Sequence, residues 1–184
     1  MKRFLLCIFL FYPVFCFSQT SDQLQRPVLD WAFFKNDKPA DREHEAMVFY
    51  NINYKYTPSG GTKDSLLFKF DVTLQMDSVR SYFLSSKRFK NTQLLAHEQG
   101  HADIAYVYAN RLKSEFYNTK YAIGTYKDQI NMIFTKVYED MKNENVLYDL
   151  ETNHSRNAAE QVRWYKKIQD MIGMEISSPQ AHLH

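Results

Sequence analysis

The sequence predicts an α+β protein, with an antiparallel β-hairpin or small sheet in its N-terminal half and a helical part after it. Three observations lead there. Residues 47–56 and 66–76 alternate polar and apolar side chains with the period of two that half-buried strands show. From Thr92 onward the apolar residues recur at helical spacing instead, in successive segments. The first of those helices contains His97-Glu98-Gln99-Gly100-His101, an H-E-x-x-H pattern whose chemistry depends on helical geometry.

At the N-terminus, Met1-Lys2-Arg3 precedes an apolar and aromatic run from Phe4 to Phe17, followed by Ser18. Two positive charges, an apolar core shorter than a membrane span and a small residue at its end read as a secretory signal peptide over residues 1–18. The same shortness, with Pro13 inside the run, argues against a transmembrane anchor, so the mature chain should have no membrane span. Cleavage there removes both cysteines, Cys7 and Cys16, and leaves 21 basic residues against 21 acidic ones. The mature chain would then have no disulfide and no thiolate ligand, and no basic excess to suggest a nucleic-acid partner. An exported location, periplasmic or secreted, is the expectation. Residues 19–176 are enough for one domain with a proper core, and the polar stretch 177–184 reads as a flexible tail.

Within that domain, Leu29-Asp30-Trp31-Ala32-Phe33-Phe34 is a short apolar run that ends in the turn-rich Lys35–Pro39 region. The alternation of residues 47–56 and of Phe68, Phe70, Val72 and Leu74 against Lys69, Asp71, Thr73 and Gln75 predicts two strands. Residues 57–64, rich in Pro, Ser, Gly and Asp, are expected to be the loop between them. The polar, basic stretch 77–91 is expected to be a connection with a short helix from Ser78. Asn91 or Thr92 can cap the main helix, which runs to about Tyr117. A second helix carries Ile130, Ile133, Phe134, Val137 and Met141 and is expected to stop near Asn143-Glu144-Asn145. A third spans about Arg156 to Ile172. His44, His182 and His184 read as histidines without a role.

The main helix carries the chemistry. With 3.6 residues per turn, His97 and His101 lie one above the other on one face. Their imidazoles can converge on one zinc ion at about 2.0–2.1 Å. Glu98 is placed to take a proton from a zinc-bound water. Gly100 costs roughly 1 kcal/mol inside a helix relative to Ala, which suggests that backbone or substrate must come close there. A second dense stretch, Tyr148-Asp149-Leu150-Glu151-Thr152-Asn153-His154-Ser155, is expected between two helices. It could supply the third protein ligand that a catalytic zinc site needs, from Asp149, Glu151 or His154. Tyr148 has two readings, as a hydrogen-bond donor to a reacting carbonyl or as a packing residue in a tyrosine-rich chain.

Leu29-Asp30-Trp31, the run 94–105 around the two histidines, and Tyr148-Asp149-x-x-Thr152-x-His154 together resemble a bacterial family of predicted secreted zinc-dependent proteases. That family is catalogued as domain of unknown function 922 and grouped with the H-E-x-x-H zincins. Gln161 and Trp164 fit the helix that follows the second motif, while Ser155 stands where the resemblance leads one to expect glycine. The resemblance implies a zincin-like fold and an exported zinc metallopeptidase acting on peptides or proteins, with Glu98 as general base. It favours His154 as third ligand, with Asp149 fixing the tautomer of a ligand histidine. The rival is Asp149 on the metal with His154 steadying the oxyanion. The strand of residues 66–75 is expected to form the upper rim of the cleft. A different class of function, a zinc-stabilised envelope binding module without turnover, shares the ligands and needs no base at position 98.

Overall fold

The computed structural model describes residues 24–34, 36–38, 44–84 and 91–177. The expected signal segment 1–18 and residues 178–184 of the expected tail, with His182 and His184, lie outside them.

A 3-10 turn at Trp31–Phe33 opens the described fold, with the Asp30 carboxylate accepting from the Ala32 N–H. It is followed by β1 (Asn36–Lys38), β2 (Ala46–Met47), β3 (Tyr50–Gly61), β4 (Ser65–Met76) and β5 (Tyr82–Leu84). Then come α1 (Thr92–Asn118), β6 (Tyr121–Ala122), α2 (Tyr126–Thr152) and α3 (Ala158–Ser177). The strands make two three-stranded sheets, ordered β1-β5-β2 and β3-β4-β6. All pairings are antiparallel except β1 with β5.

β3 and β4 form the expected hairpin, and its alternation is the one the sequence shows. Phe68, Phe70 and Val72 are buried, while Lys69, Asp71 and Thr73 face out. The expected loop at 57–64 is shorter than predicted. β3 runs on through Pro58 to Gly61, with a register shift between Pro58 and Gly60, and the chain reverses over Thr62–Ser65. Proline is tolerated because β3 is an edge strand and needs no outward donor there. The expected helix from Ser78 is also replaced. Asp77 caps a tight turn by accepting from the Val79 and Arg80 N–H groups, and β5 follows directly.

α1 is held from all sides. Asn91 caps it, its side-chain oxygen accepting from the Leu94 N–H at 2.8 Å. Residues 102–109 are buried without a break, so this is a central helix rather than one lying on a surface. It packs on the β3–β4 sheet, where Phe70 and Phe116 stack with centroids 4.3 Å apart and Phe116 also meets Tyr54. On its other side lie Ile130, Val137, Met141 and Tyr148 of α2 and Trp164, Ile168 and Ile172 of α3. Each such large apolar side chain contributes roughly 1.5–3 kcal/mol by leaving water.

α2 departs furthest from what the sequence predicts. It does not stop at residues 143–145 but continues to Thr152, so Tyr148, Asp149 and Glu151 lie on a helix and not between helices. The residues that looked like a stop are held by tertiary contacts. Glu144 pairs with Lys167 of α3 at 2.7 Å, and the Asn145 amide donates to the Met141 carbonyl. The helix ends where Asn153 turns left-handed, with the His154 N–H reaching back to the Asp149 carbonyl.

Candidate metal centre

α1 and α2 cross antiparallel, so that advancing from His97 to His101 on one helix matches retreating from Asp149 to Asn145 on the other. Helical spacing brings the two imidazoles edge to face with centroids 4.9 Å apart, and Asp149 Oδ1 lies 3.1 Å from His97 Nε2 and 3.0 Å from His101 Nε2. The outer ring nitrogens are also engaged. His97 Nδ1 lies 3.1 Å from Gln161 Oε1, and His101 Nδ1 lies 2.7 Å from Asn145 Oδ1.

Both amides have their orientation fixed by what their N–H groups do. Gln161 Nε2 donates to the Tyr148 hydroxyl at 2.6 Å, and Asn145 Nδ2 donates to the Met141 carbonyl at 2.9 Å. Each amide therefore offers oxygen to its imidazole, which must donate from Nδ1. With both rings neutral, bare Nε2 lone pairs would face a carboxylate oxygen, so the contact needs a positive charge, either a proton on Nε2 or a metal ion. Two nitrogens and one carboxylate oxygen, all within 4.8 Å of one another, are the donor set that could hold a metal ion. Donors sharing a zinc at about 2.0–2.2 Å stand roughly 3.3 Å apart, close to the 3.0 and 3.1 Å between Asp149 Oδ1 and the two imidazole nitrogens.

The charges agree with this geometry. Burial opposes ionisation of Asp149, but hydrogen bonds from His101 and His97 outweigh it and hold the carboxyl well below the usual range. For His101, burial is likewise outweighed by Asp149, and its pKa rises to about 9. At His97 burial wins and the pKa falls.

Glu98 has the opposite character. It is 2 % exposed, and burial pushes its pKa up to about 7. One oxygen is served by the Val48 backbone, while Oε2 is buried with no hydrogen-bond partner among the described residues. It lines the same cleft as the three metal donors, a cavity of about 330 Å³. Residues 44–50 form one wall and α2 the other. No residue of β4 lines it, so the expected rim of residues 66–75 is replaced by residues 44–50, which include the short edge strand β2. β4 is instead packed on α1 and paired along its length with β3.

The other residues that the sequence singles out fall around this centre. His154 is outside the three-donor group. It is half-exposed, its Nδ1 is 3.3 Å from Asp149 Oδ1, and its ring lies 4.2 Å from that of His44, a histidine for which the sequence suggests no role. Tyr148 is wholly buried, and its hydroxyl donates to the His97 carbonyl at 3.1 Å. Gly100 is explained by it, because a Cβ at position 100 would meet the Tyr148 ring and hydroxyl. The close approach is thus to a side chain of α2. Thr152 donates to the Tyr148 carbonyl, within its own turn. Glu151 faces α3, accepting from the Trp164 indole at 2.7 Å. Sequence reasoning missed Asn145. Its signal was present, since residues 145, 148, 149 and 152 share one helical face once α2 is allowed to continue.

Fold and site together define an α+β protein whose central helix carries two histidines of a His-His-Asp group able to hold a metal. The chain belongs to the family described as bacterial protein of unknown function (DUF922), whose model matches residues 23–155 and so takes in all three donors. Nothing among curated proteins and nothing among solved structures matches. Among the described residues, no helix is long and apolar enough to cross a membrane.

Proposed function

We propose that the protein is an exported zinc metallopeptidase of zincin type, with His97, His101 and Asp149 as the protein ligands and Glu98 as general base. The observation that carries this reading is the pairing of the three-donor group with a buried, unpartnered Glu98 oxygen in one cleft. Nitrogen and oxygen donors without sulfur suit zinc but admit other divalent ions. When bound, zinc lowers the pKa of a coordinated water toward 7 and polarises a carbonyl.

The chain's own residues do the rest. A carboxyl poised near 7 by burial can take a proton at neutral pH and return it to a leaving amine. Asn145 and Gln161 hold the ligand rings in one tautomer by accepting from Nδ1. His154, half-exposed at the mouth, is assigned to steady the developing oxyanion. Tyr148 is a positioning residue: its hydroxyl already serves the His97 carbonyl and Gln161. A binding module without turnover would have no use for an unpaired carboxylate at position 98, which would cost stability by lying buried.

The test is metal analysis of the purified mature chain, with cleavage of a mixed peptide library measured with and without chelator. About one zinc per chain and chelator-sensitive cleavage are expected. Glu98→Gln should keep the metal and lose roughly 10²–10⁴-fold in rate. Unchanged turnover in that variant would sink the mechanism, and loss of metal with it would make Glu98 a ligand.

A further inference from the structure

The wall of the cleft opposite α2 carries a cation that the proposed chemistry does not use. Three cationic side chains line the cavity, Arg80, Lys142 and Arg156. Lys142 is paired with Glu139 at 3.1 Å, and Arg156 lies 3.7 Å from Glu45. Arg80 has no carboxylate partner among the described residues. Its guanidinium instead lies over the Phe49 ring, 4.1 Å from the centroid.

The backbone beneath Arg80 is firmly built. The Phe49 N–H donates to Ser81 Oγ at 3.0 Å, and the Phe49 carbonyl accepts from the Asp77 N–H at 2.8 Å. Asp77 in turn accepts from the Arg80 N–H at 3.0 Å, and Ser81 is fully buried. The turn bearing Arg80 is thus stapled to the residue whose ring carries its guanidinium. A guanidinium held over an aromatic face is attracted to the ring quadrupole and keeps N–H groups for a ligand. A planar donor fork held this way matches a carboxylate, which it can bind with two parallel hydrogen bonds.

Resting on the peptidase reading, we propose that Arg80 is a specificity-determining residue that binds a carboxylate of the peptide substrate. The ligand is an Asp or Glu side chain or the C-terminal carboxylate, held on the 44–50 wall while the scissile bond lies at Glu98. A merely solvated rim arginine would need neither the aromatic platform nor the clamped turn.

The experiment uses zinc-loaded full-length mature protein carrying Glu98→Gln, so that peptides bind without being cut. Calorimetry compares three N-acetylated peptides of one sequence family: a Glu-containing peptide with an amidated C-terminus, its Gln counterpart, and the Gln counterpart with a free C-terminus. One carboxylate-bearing peptide should bind about 10–100-fold tighter than the neutral one, and which of the two does so identifies the source. Adding Arg80→Gln should bring that ratio close to one, while Arg80→Lys, a point charge without the fork, should restore part of it. Metal content and melting temperature of each variant confirm that it is folded. No preference for either carboxylate, or a preference that survives Arg80→Gln, would overturn the proposal. The same peptides are then given to the enzyme with Glu98 intact. An Arg80-dependent binding preference without any cleavage would sink the peptidase reading and uphold the carboxylate site.

Discussion

The two faces of α1 near its N-terminal end are both buried and both polar, yet they are built differently. On the face away from the cleft, Asp103 accepts from Arg26 Nε at 2.8 Å and from Arg26 Nη2 at 2.7 Å. Gln99 accepts from the Leu29 N–H and donates to the Pro27 carbonyl and to Asp103. Each donor and acceptor of those two side chains is matched, and the result ties the segment of residues 26–29 to the helix. On the cleft face, two imidazole Nε2 atoms converge on one carboxylate oxygen, and Glu98 Oε2 has no partner among the described residues. A closed polar network costs little and fixes structure, whereas an unsatisfied, converging one costs stability and is kept for a ligand. The same helix thus carries an anchor and a site, each built on a pair of residues four apart in sequence.

That contrast breaks first on the ligands. Asp149→Ala removes a donor from the open face and should lower zinc affinity by more than the roughly 100-fold that loss of an outer partner costs at most. His154→Ala should stay within 10–100-fold. Competition titration with a chromophoric chelator measures both. The reverse ranking would move the third ligand to His154 and leave Asp149 as the residue that orients a ring.

Much of this was legible in the sequence, and the part that was not shares a cause. The alternation at Phe68–Leu74, the Asn91 cap and the placing of His97 and His101 on one helix face are local consequences of period and propensity. They are visible without knowing what lies opposite. Asn143-Glu144-Asn145 read as a helix stop because asparagine favours turns in isolation. In the fold, Glu144 and Asn145 find partners on α3 and α1, and tertiary context overrides propensity. The three-residue strands β1 and β5 have no pattern of their own, being defined by pairing across more than forty residues. For the same reason the rim was misplaced. Which strand borders the cleft depends on sheet order, and sheet order is a non-local property.

The next sharpening is on the anchored face. Asp103→Ala leaves Arg26 and Gln99 without their shared acceptor and should cost about 1–3 kcal/mol in denaturant unfolding. Zinc affinity of the folded variant should be unchanged. If affinity falls as far as it does for a ligand variant, the two faces are coupled and do not act as separate anchor and site.

pH separates the faces in another way. In metal-free protein, His101 is raised from 6.5 to about 9, so its contribution to stability is full below pH 6.5 and is lost as pH rises through 9. Glu98, raised by burial from 4.5 to about 7, works in the same direction, being most compatible with the fold while protonated. Asp149 is depressed, so its contribution is present above its ordinary 3.8 and is lost only in strong acid. The melting temperature of metal-free protein should therefore decline between pH 6.5 and 9. A zinc ion held as proposed would need His101 without its proton and would favour ionised Glu98, so the stabilisation it brings should grow over the same interval. A melting temperature of the metal-free chain that is flat or rising from pH 6.5 to 9 would contradict the charge arrangement of the open face.

The smallest effect expected lies in the turn that closes the open face. Asn153, His154 and Ser155 have φ of 47°, 49° and 71°, three consecutive non-glycine residues in the left-handed region. Such a conformation costs an ordinary L residue roughly 1–2 kcal/mol, less for the asparagine that caps α2. The turn is held by main-chain contacts, with Gln93 of α1 donating to the Ser155 carbonyl and the Asn157 N–H to the Thr152 carbonyl. Neither contact uses the Ser155 side chain, so the strain there can be removed without touching the site. Glycine, the residue the family resemblance leads one to expect here, relieves it at an entropic cost of about 0.5–1 kcal/mol in the unfolded chain. Ser155→Gly should therefore stabilise the protein by up to about 1 kcal/mol and leave zinc affinity unchanged. A destabilised variant would show that the hydroxyl or its buried packing matters more than the backbone angle. Weakened zinc binding would show that the strained turn, and with it His154, helps to hold Asp149 in place.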